Sequence, residues 1–424
     1  MPASQRRPAS PTKETLALTS STVLALILVS LLYIIAARNS EPSSFGIAAA
    51  VIAIAAAVTA IVDFGNISYS LREVAARNMR RRRFFRRLSG RILALSVWFA
   101  ASAALAHVAR QPLWLFAGII PLVRLPLQSA LVALRAHHRI LTVVLVTLLD
   151  AVVAIGALLG LLSLGVRGDQ SLLMAVLLGD FAATAVAMPL AFRSYVDDEL
   201  ATDTGGTSST GFGLSAVAVA AADLNVPVAA WAASPAVAGE YSAVNRWTRP
   251  VLTVMQSFNL MAAPRIAAAP SAMGAWRSIR GASWLPMLAA VYCLVLAALA
   301  SYLVPLVLGD AYVASITPLV ILALGSLLII PNSMAVTFLQ YRGFDAIVGR
   351  AQLATTSIGI LLTIPLSVGY GATGMALALL GQRVLASALL ALLVLNLHVS
   401  RRGSSLLSLI RDFRASAARS MRGP

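Results

Sequence analysis

Twelve apolar runs follow one another along the chain, at residues 16 to 37, 44 to 66, 92 to 108, 113 to 134, 140 to 164, 171 to 192, 211 to 232, 238 to 263, 284 to 307, 312 to 338, 349 to 368 and 372 to 397. Nearly every one approaches the roughly 20 residues a helix needs to cross a bilayer core of about 30 Å. In that core the backbone must satisfy its own hydrogen bonds, so each run predicts an α-helix. The surrounding composition agrees. Hydrophobic residues make up 59% of the 424 and charged residues 12%, about half the charged share of a soluble domain. The expected fold class is therefore an all-α polytopic membrane protein, and soluble globular enzymes are excluded.

The formal net charge of +17 would suggest nucleic acid in a soluble protein. In a membrane protein, Lys and Arg gather instead in cytoplasmic loops. With the N-terminus inside, 26 of the 33 basic residues fall in inner segments, counting Arg350 at the very start of the eleventh run with its loop, while Arg38, Arg110 and Arg167 fall outside and Arg124, Arg246, Arg249 and Arg383 lie deeper within spans. This bias predicts a multi-pass protein of the plasma or inner cell membrane with both termini cytoplasmic, and no nucleic-acid partner. The first run follows Arg6, Arg7 and Lys13 as a secretory signal would, but it is longer than a signal's apolar core and is read as a retained span. Lys13 is the single lysine, so a P-loop is absent. Cys293 is the single cysteine, so no disulfide or cysteine-based metal site forms within the chain. HExxH is absent and the outer loops are short. No catalytic residue, metal or cofactor is expected.

The acidic, then Gly/Ser/Thr-rich segment from Asp197 to Gly211 reads as a linker. It divides the chain into a cytoplasmic segment at 1–15, a six-helix bundle at 16–193, a linker at 194–210, a second six-helix bundle at 211–398 and a basic amphipathic tail at 399–424. Six spans per half require a parallel repeat. PLQSALVAL from Pro126 echoes PNSMAVTFL from Pro331, and Gly179-Asp180 echoes Gly381-Gln382. Two segments, RRRRFFRR from Arg80 and the tail with Leu406, Ile410 and Phe413, are expected at the interface, where basic side chains meet anionic headgroups.

Ionisable residues inside spans are costly in lipid and point to function. Counting 1.5 Å per residue, Arg124, Asp150, Asp180, Asp223, Arg246 and Arg383 lie roughly 13 to 18 Å deep. In the eighth run Tyr241, Asn245 and Arg249 recur every four residues beside Arg246, predicting a polar stripe that Pro250 interrupts. Arg124 lies between Pro121 and Pro126, and Asp223, Asn225 and Pro227 fall within five residues. Broken helices carrying charge are typical of transporter binding sites. Each aspartate serves equally well as a structural ion-pair partner. Arginine keeps its charge and offers a fork matched to phosphate oxygens. Gly156 and Gly160 form a GxxxG expected to pack helices.

The run RNSEPSSFGIAAAVIAIAAAVTAIVDFGNISYSLREVAAR from Arg38, with Phe45, Gly46, Asp63, Phe64, Gly65 and Arg72, resembles the first two spans of polysaccharide exporters. In the second half, ADLNVPVAAWAASPAVAGEYSAVNRWTRP from Ala222, LGDAY from Leu308 and GYGATGMALA from Gly369 are similar to the oligosaccharide-lipid flippase branch of the multidrug, oligosaccharidyl-lipid and polysaccharide (MOP) exporter superfamily. The likeness spans nearly the whole chain. It implies a MATE-like fold of about twelve helices, two six-helix bundles around a central cavity. It also implies a polyprenyl-(pyro)phosphate-linked oligosaccharide as cargo, carried to the outer leaflet for surface polysaccharide biosynthesis.

On that reading Arg246, Arg249, Arg124, Arg383 and Arg38 are pyrophosphate candidates, and Asp223, Asp150 and Asp180 are coupling-ion candidates. Expected partners are the lipid-linked oligosaccharide, anionic lipids at the basic inner loops, and glycan-assembly enzymes. The alternative is a multidrug or organic-cation antiporter of the same superfamily, whose cavity should be acidic and aromatic.

Overall fold

The computed structural model describes residue 24 and residues 27–75, 80–137, 139–194, 210–268, 284–340 and 344–400. The described residues hold helices and no strands. In the first half these are α1 (Ile27–Arg38), α2 (Pro42–Asp63), α3 (Asn66–Ala75), α4 (Arg81–Val108), α5 (Trp114–Ala136), α6 (Ile140–Ser163) and α7 (Gly168–Ser194). The second half begins with α8 (Thr210–Ala221), α9 (Asn225–Ala232), α10 (Pro235–Asn245) and α11 (Arg249–Ala268). It continues with α12 (Trp284–Ala298), α13 (Ala300–Leu308), α14 (Ile316–Ser326), α15 (Ile329–Gln340) and α16 (Asp345–Ser400).

Seven described helices are long and apolar enough to cross a membrane, or eight if the pair α12 and α13, bent by 75°, is one span. The other apolar runs coincide with short or broken helices. The run at 211–232 is α8 and α9 joined by a 3-10 turn at Ala222–Leu224, and the run at 238–263 is α10 and α11 joined by another at Arg246–Thr248. Pro227 and Pro250 account for both breaks, since a proline removes a backbone donor and clashes with the preceding turn. The last two runs form the two arms of α16, which meet at Gly371, a residue with φ of +58°.

Three expectations need correction. The run at 92–108 is only the apolar part of α4, which starts eleven residues earlier, so RRRRFFRR is continuous with that helix. There Phe84 is buried, Arg81 stacks on Phe192 at 4.5 Å and Arg87 stacks on Tyr69 at 4.5 Å. The short helix α3 was not foreseen, because its apolar run is interrupted by polar residues. Gly156 and Gly160 pack nothing: a side-chain carbon at either would meet open space. The linker at 195–209 and the tail from 401 lie outside the described residues.

The largest apolar core runs through both halves. It joins Phe45, Val51 and Ile52 of α2 to Val226, Ala229, Ala238, Tyr241 and Val244 of α9 and α10. The chain reversals at 39–41, 233–234 and 309–315 gather at one end of the molecule, which is sparsely charged. Tyr312 there donates to the Ser40 carbonyl at 3.5 Å, and Ser315 donates to the Glu240 carbonyl at 2.9 Å.

At this end α2 and α10 begin with the same pattern, proline followed four residues later by glycine: Pro42 to Gly46 and Pro235 to Gly239. A Cβ on Gly46 would overlap the Pro235 carbonyl, and a Cβ on Gly239 would overlap the Pro42 carbonyl. Each half thus presents a bare backbone to the other half's first helical turn, an approach closer than any side chain permits.

At the opposite, basic end, the DFG-like triplet terminates α2. Phe64 adopts the left-handed conformation with φ of 43°, and Asp63 accepts from the Ile67 backbone at 3.0 Å. Asp63 also pairs with Arg91 of α4, both buried, while Arg87 donates to Asn66 at 3.2 Å. A buried ion pair of this kind persists because each charge would be far costlier alone. It fixes α3 and α4 against the end of α2.

Candidate functional site: a charged cavity between the halves

Between the two ends lies a cavity enclosing about 200 Å³. Its apolar wall comes from α1 (Leu28, Val29, Leu32), α2 (Ala49, Ile52, Ala53) and α9 (Val226). Six ionisable residues line it: Arg124, Asp150 and Asp180 from the first half, and Asp223, Arg246 and Arg249 from the second. These are six of the eight residues singled out from the sequence. Arg38 and Arg383 do not line it. Arg38 is exposed at the end of α1, because the helix stops there and its side chain leaves the core. Arg383 lies within the second half, donating to the Ser326 hydroxyl at 3.0 Å and the Leu322 carbonyl at 3.3 Å.

Local structure places each charge. Arg124 sits between the two prolines of α5 and pairs with Asp180 of α7 at 3.5 Å. Asp180 is 1% exposed, so without that cation it would be a bare charge in an apolar core. Asp150 of α6 lies within electrostatic reach of both Asp180 and Arg124, and among the described residues it makes no ion pair. The 3-10 turn at Ala222–Leu224 turns Asp223 toward Arg249, which donates to both carboxylate oxygens at 2.8 and 3.0 Å.

The stripe on the eighth apolar run is present with a shifted register. Ser242, Asn245, Arg246 and Arg249 face the cavity, and Tyr241 is instead buried in the core. The Ser242 hydroxyl is also buried, and no described residue hydrogen-bonds it.

Arg246 differs from its neighbours. Among the described residues it makes no ion pair; its guanidinium lies over the ring of Tyr33 on α1, 3.5 Å from the centroid. A cation over a ring gains about 0.5 to 2 kcal/mol, and the stacking leaves the in-plane N–H groups free to donate. Tyr33 was missed in the sequence, where it is one aromatic residue in an apolar run with no polar neighbour to mark it.

No protein-family model and no curated protein sequence matches the chain. Solved structures do. A multidrug resistance MATE family transporter of the MOP superfamily in its inward-facing conformation superposes with a TM-score of 0.61 at 16% identity, covering 90% of this chain and 96% of that one. The chain has the MATE transporter fold. A MATE multidrug transporter bound to R6G gives a TM-score of 0.58 at 16% identity, covering 91% and 96%. A MOP superfamily transporter from Pyrococcus furiosus, described as having a binding pocket of reverse polarity, gives 0.52 at 16% identity, covering 94% and 98%. The MATE fold and the apolar helices together make this a multi-pass membrane protein, and they put the charged cavity at the interface of the fold's two halves.

Proposed function

We propose that the chain is an alternating-access transporter that moves a polyprenyl-(pyro)phosphate-linked oligosaccharide from the cytoplasmic to the outer leaflet. The observation that carries this reading is Arg246: a permanent cation facing the cavity, held in place by an aromatic ring, with no carboxylate paired to it. Its free N–H edge suits phosphate oxygens, which guanidinium binds through parallel hydrogen bonds. Asn245 and the unpartnered Ser242 hydroxyl stand beside it to hydrogen-bond an oxygen-rich headgroup.

The cavity volume of about 200 Å³ is below the 300 to 1,000 Å³ usual for ligand pockets. In this conformation it would take the phosphate portion, with the polyprenyl chain and glycan outside it. The sequence resemblance to oligosaccharide-lipid flippases points the same way. The charge bias of the loops supports placing the basic end in the cytoplasm, the side where such a cargo is assembled.

Asp150 supports the second reading, an organic-cation antiporter, since it is a carboxylate in the same cavity that no cation neutralises. In the flippase reading the same residue is the coupling-ion site.

Proteoliposomes carrying a fluorescent polyprenyl-pyrophosphate-linked sugar separate the two. The flippase reading expects protein-dependent translocation that Arg246→Ala abolishes. Translocation unaffected by Arg246→Ala, with uptake of an organic cation abolished by Asp150→Asn, would establish the antiporter instead.

A further inference from the structure

Tyr33 belongs to two structures at once. One face of its ring carries the Arg246 guanidinium. Its edge meets Phe45 at 6.4 Å between centroids and 89° between planes, and Phe45 meets Tyr312 at 6.4 Å and 87°. These three rings are 5%, 0% and 1% exposed. They form a continuous aromatic row from the cavity to the sparsely charged end, joining α1 and α2 of the first half to the turn before α14 of the second. Phe45, the middle ring, immediately precedes Gly46, so the row passes directly beside the glycine contact between the halves. A phosphate on the in-plane N–H edge of Arg246 offsets the positive charge of the guanidinium, and the first group affected is Tyr33, over whose ring that cation lies.

We infer that Tyr33 is a positioning residue that transmits occupancy of Arg246 to the seal at the sparsely charged end: an anion in the cavity loosens the aromatic row, and the Gly46–Gly239 contact parts. This rests on the reading of Arg246 as the phosphate site and adds the path by which binding drives opening. The physical requirement is that ligand favour the open state over the closed one. A cation–π contact that is strongest in the unliganded, sealed form supplies that difference, because offsetting the charge of the guanidinium weakens its hold on the ring.

The test uses the full chain in detergent with Cys293→Ser, which removes the single native thiol, and Ser315→Cys. Ser315 is 0% exposed and lies at the seal, so a polar maleimide reaches a cysteine there only when the seal parts. Inorganic pyrophosphate is the probe, with its binding measured separately by calorimetry.

In the wild-type background, pyrophosphate should raise the labelling rate about threefold or more. Tyr33→Leu should label fast without ligand and show no further increase, while Tyr33→Phe, which keeps the ring, should behave as wild type. If Tyr33→Leu responds to pyrophosphate as wild type does, or if pyrophosphate binds without changing labelling, the inference is overturned and the phosphate site stands. If pyrophosphate does not bind to the wild-type background, both are overturned. A Tyr33→Leu chain that labels fast because it is misfolded is recognised by a lowered thermal unfolding temperature and loss of pyrophosphate binding in calorimetry, and a Tyr33→Phe chain that fails to respond also overturns the inference.

Discussion

The two walls of the cavity carry the same residue types in opposite proportion. The first half contributes two aspartates, Asp150 and Asp180, against one arginine, Arg124; the second contributes two arginines, Arg246 and Arg249, against one aspartate, Asp223. In each wall one ion pair forms, Arg124 with Asp180 at 3.5 Å and Arg249 with Asp223 at 2.8 Å. What remains is a surplus carboxylate on one side and a surplus guanidinium on the other. The cavity is neutral in sum and polarised across the interface between the halves. A net count of its charges, taken from the sequence, therefore hides its main property. The two unpaired groups suit two different ligands, an anionic cargo and a coupling cation, each on its own wall.

The largest effect should come from reversing one wall. Arg246→Glu places a second surplus carboxylate in the cavity, and pyrophosphate affinity should fall roughly 10- to 100-fold, the scale of lost charge-assisted hydrogen bonds. Isothermal titration would read it, and an affinity within twofold of wild type would remove the polarised-wall account. On the opposite wall, Asp150→Asn should leave pyrophosphate affinity within about twofold while abolishing the dependence of translocation on an imposed proton or sodium gradient. Gradient dependence that survives in this variant would place coupling elsewhere.

The paired charges should behave differently from the surplus ones. Arg249→Ala strands Asp223 and should lower stability by about 1 to 2 kcal/mol, a value reduced from the buried-pair scale because both side chains are about one-third exposed. Adding Asp223→Ala should recover part of the loss, and a thermal double-mutant cycle showing strict additivity would deny the pairing. The smallest effect on transport should come from Arg383→Gln. This residue stands behind the wall, and glutamine keeps a donor toward Ser326. Pyrophosphate affinity should be unchanged and stability lower by about 1 kcal/mol; a loss of affinity would make Arg383 part of the site after all.

Much of this was legible beforehand. Apolar run length located the helical segments, because the bilayer sets a minimum length for a span, but not the breaks inside runs such as 211–232 and 238–263, which fall beside Pro227 and Pro250. Depth arithmetic selected Arg124, Asp150, Asp180, Asp223 and Arg246 of the cavity residues, because a charge at mid-depth has few places to go, and the polar stripe of the eighth run added Arg249. Arg38 stands outside the cavity, and its place among the candidates came from the family resemblance and not from its depth. Arg383 stands behind the wall, because depth does not say which way a residue faces. The shift from Tyr241 to Ser242 is plain helix geometry: Ser242, Asn245, Arg246 and Arg249 are spaced i, i+3, i+4 and i+7 on one face, whereas steps of four from Tyr241 drift by about 40° each around the helix. Tyr33 and the Gly46–Gly239 contact were illegible for a common reason. Where every face of a helix is apolar, whether facing lipid or protein, no periodic pattern shows which residues meet a neighbour.

The glycine contact also constrains how the molecule can move. Each glycine lies on the other half's proline carbonyl, so the contact has no fixed side and no moving side, and separating one pair necessarily separates the other. Each proline carbonyl stands in the first turn of its own helix and is bonded there, so parting the halves costs close van der Waals contact at both glycines together and no backbone hydrogen bond. The joint is thus one reciprocal contact, set by residues nearly two hundred positions apart in the chain.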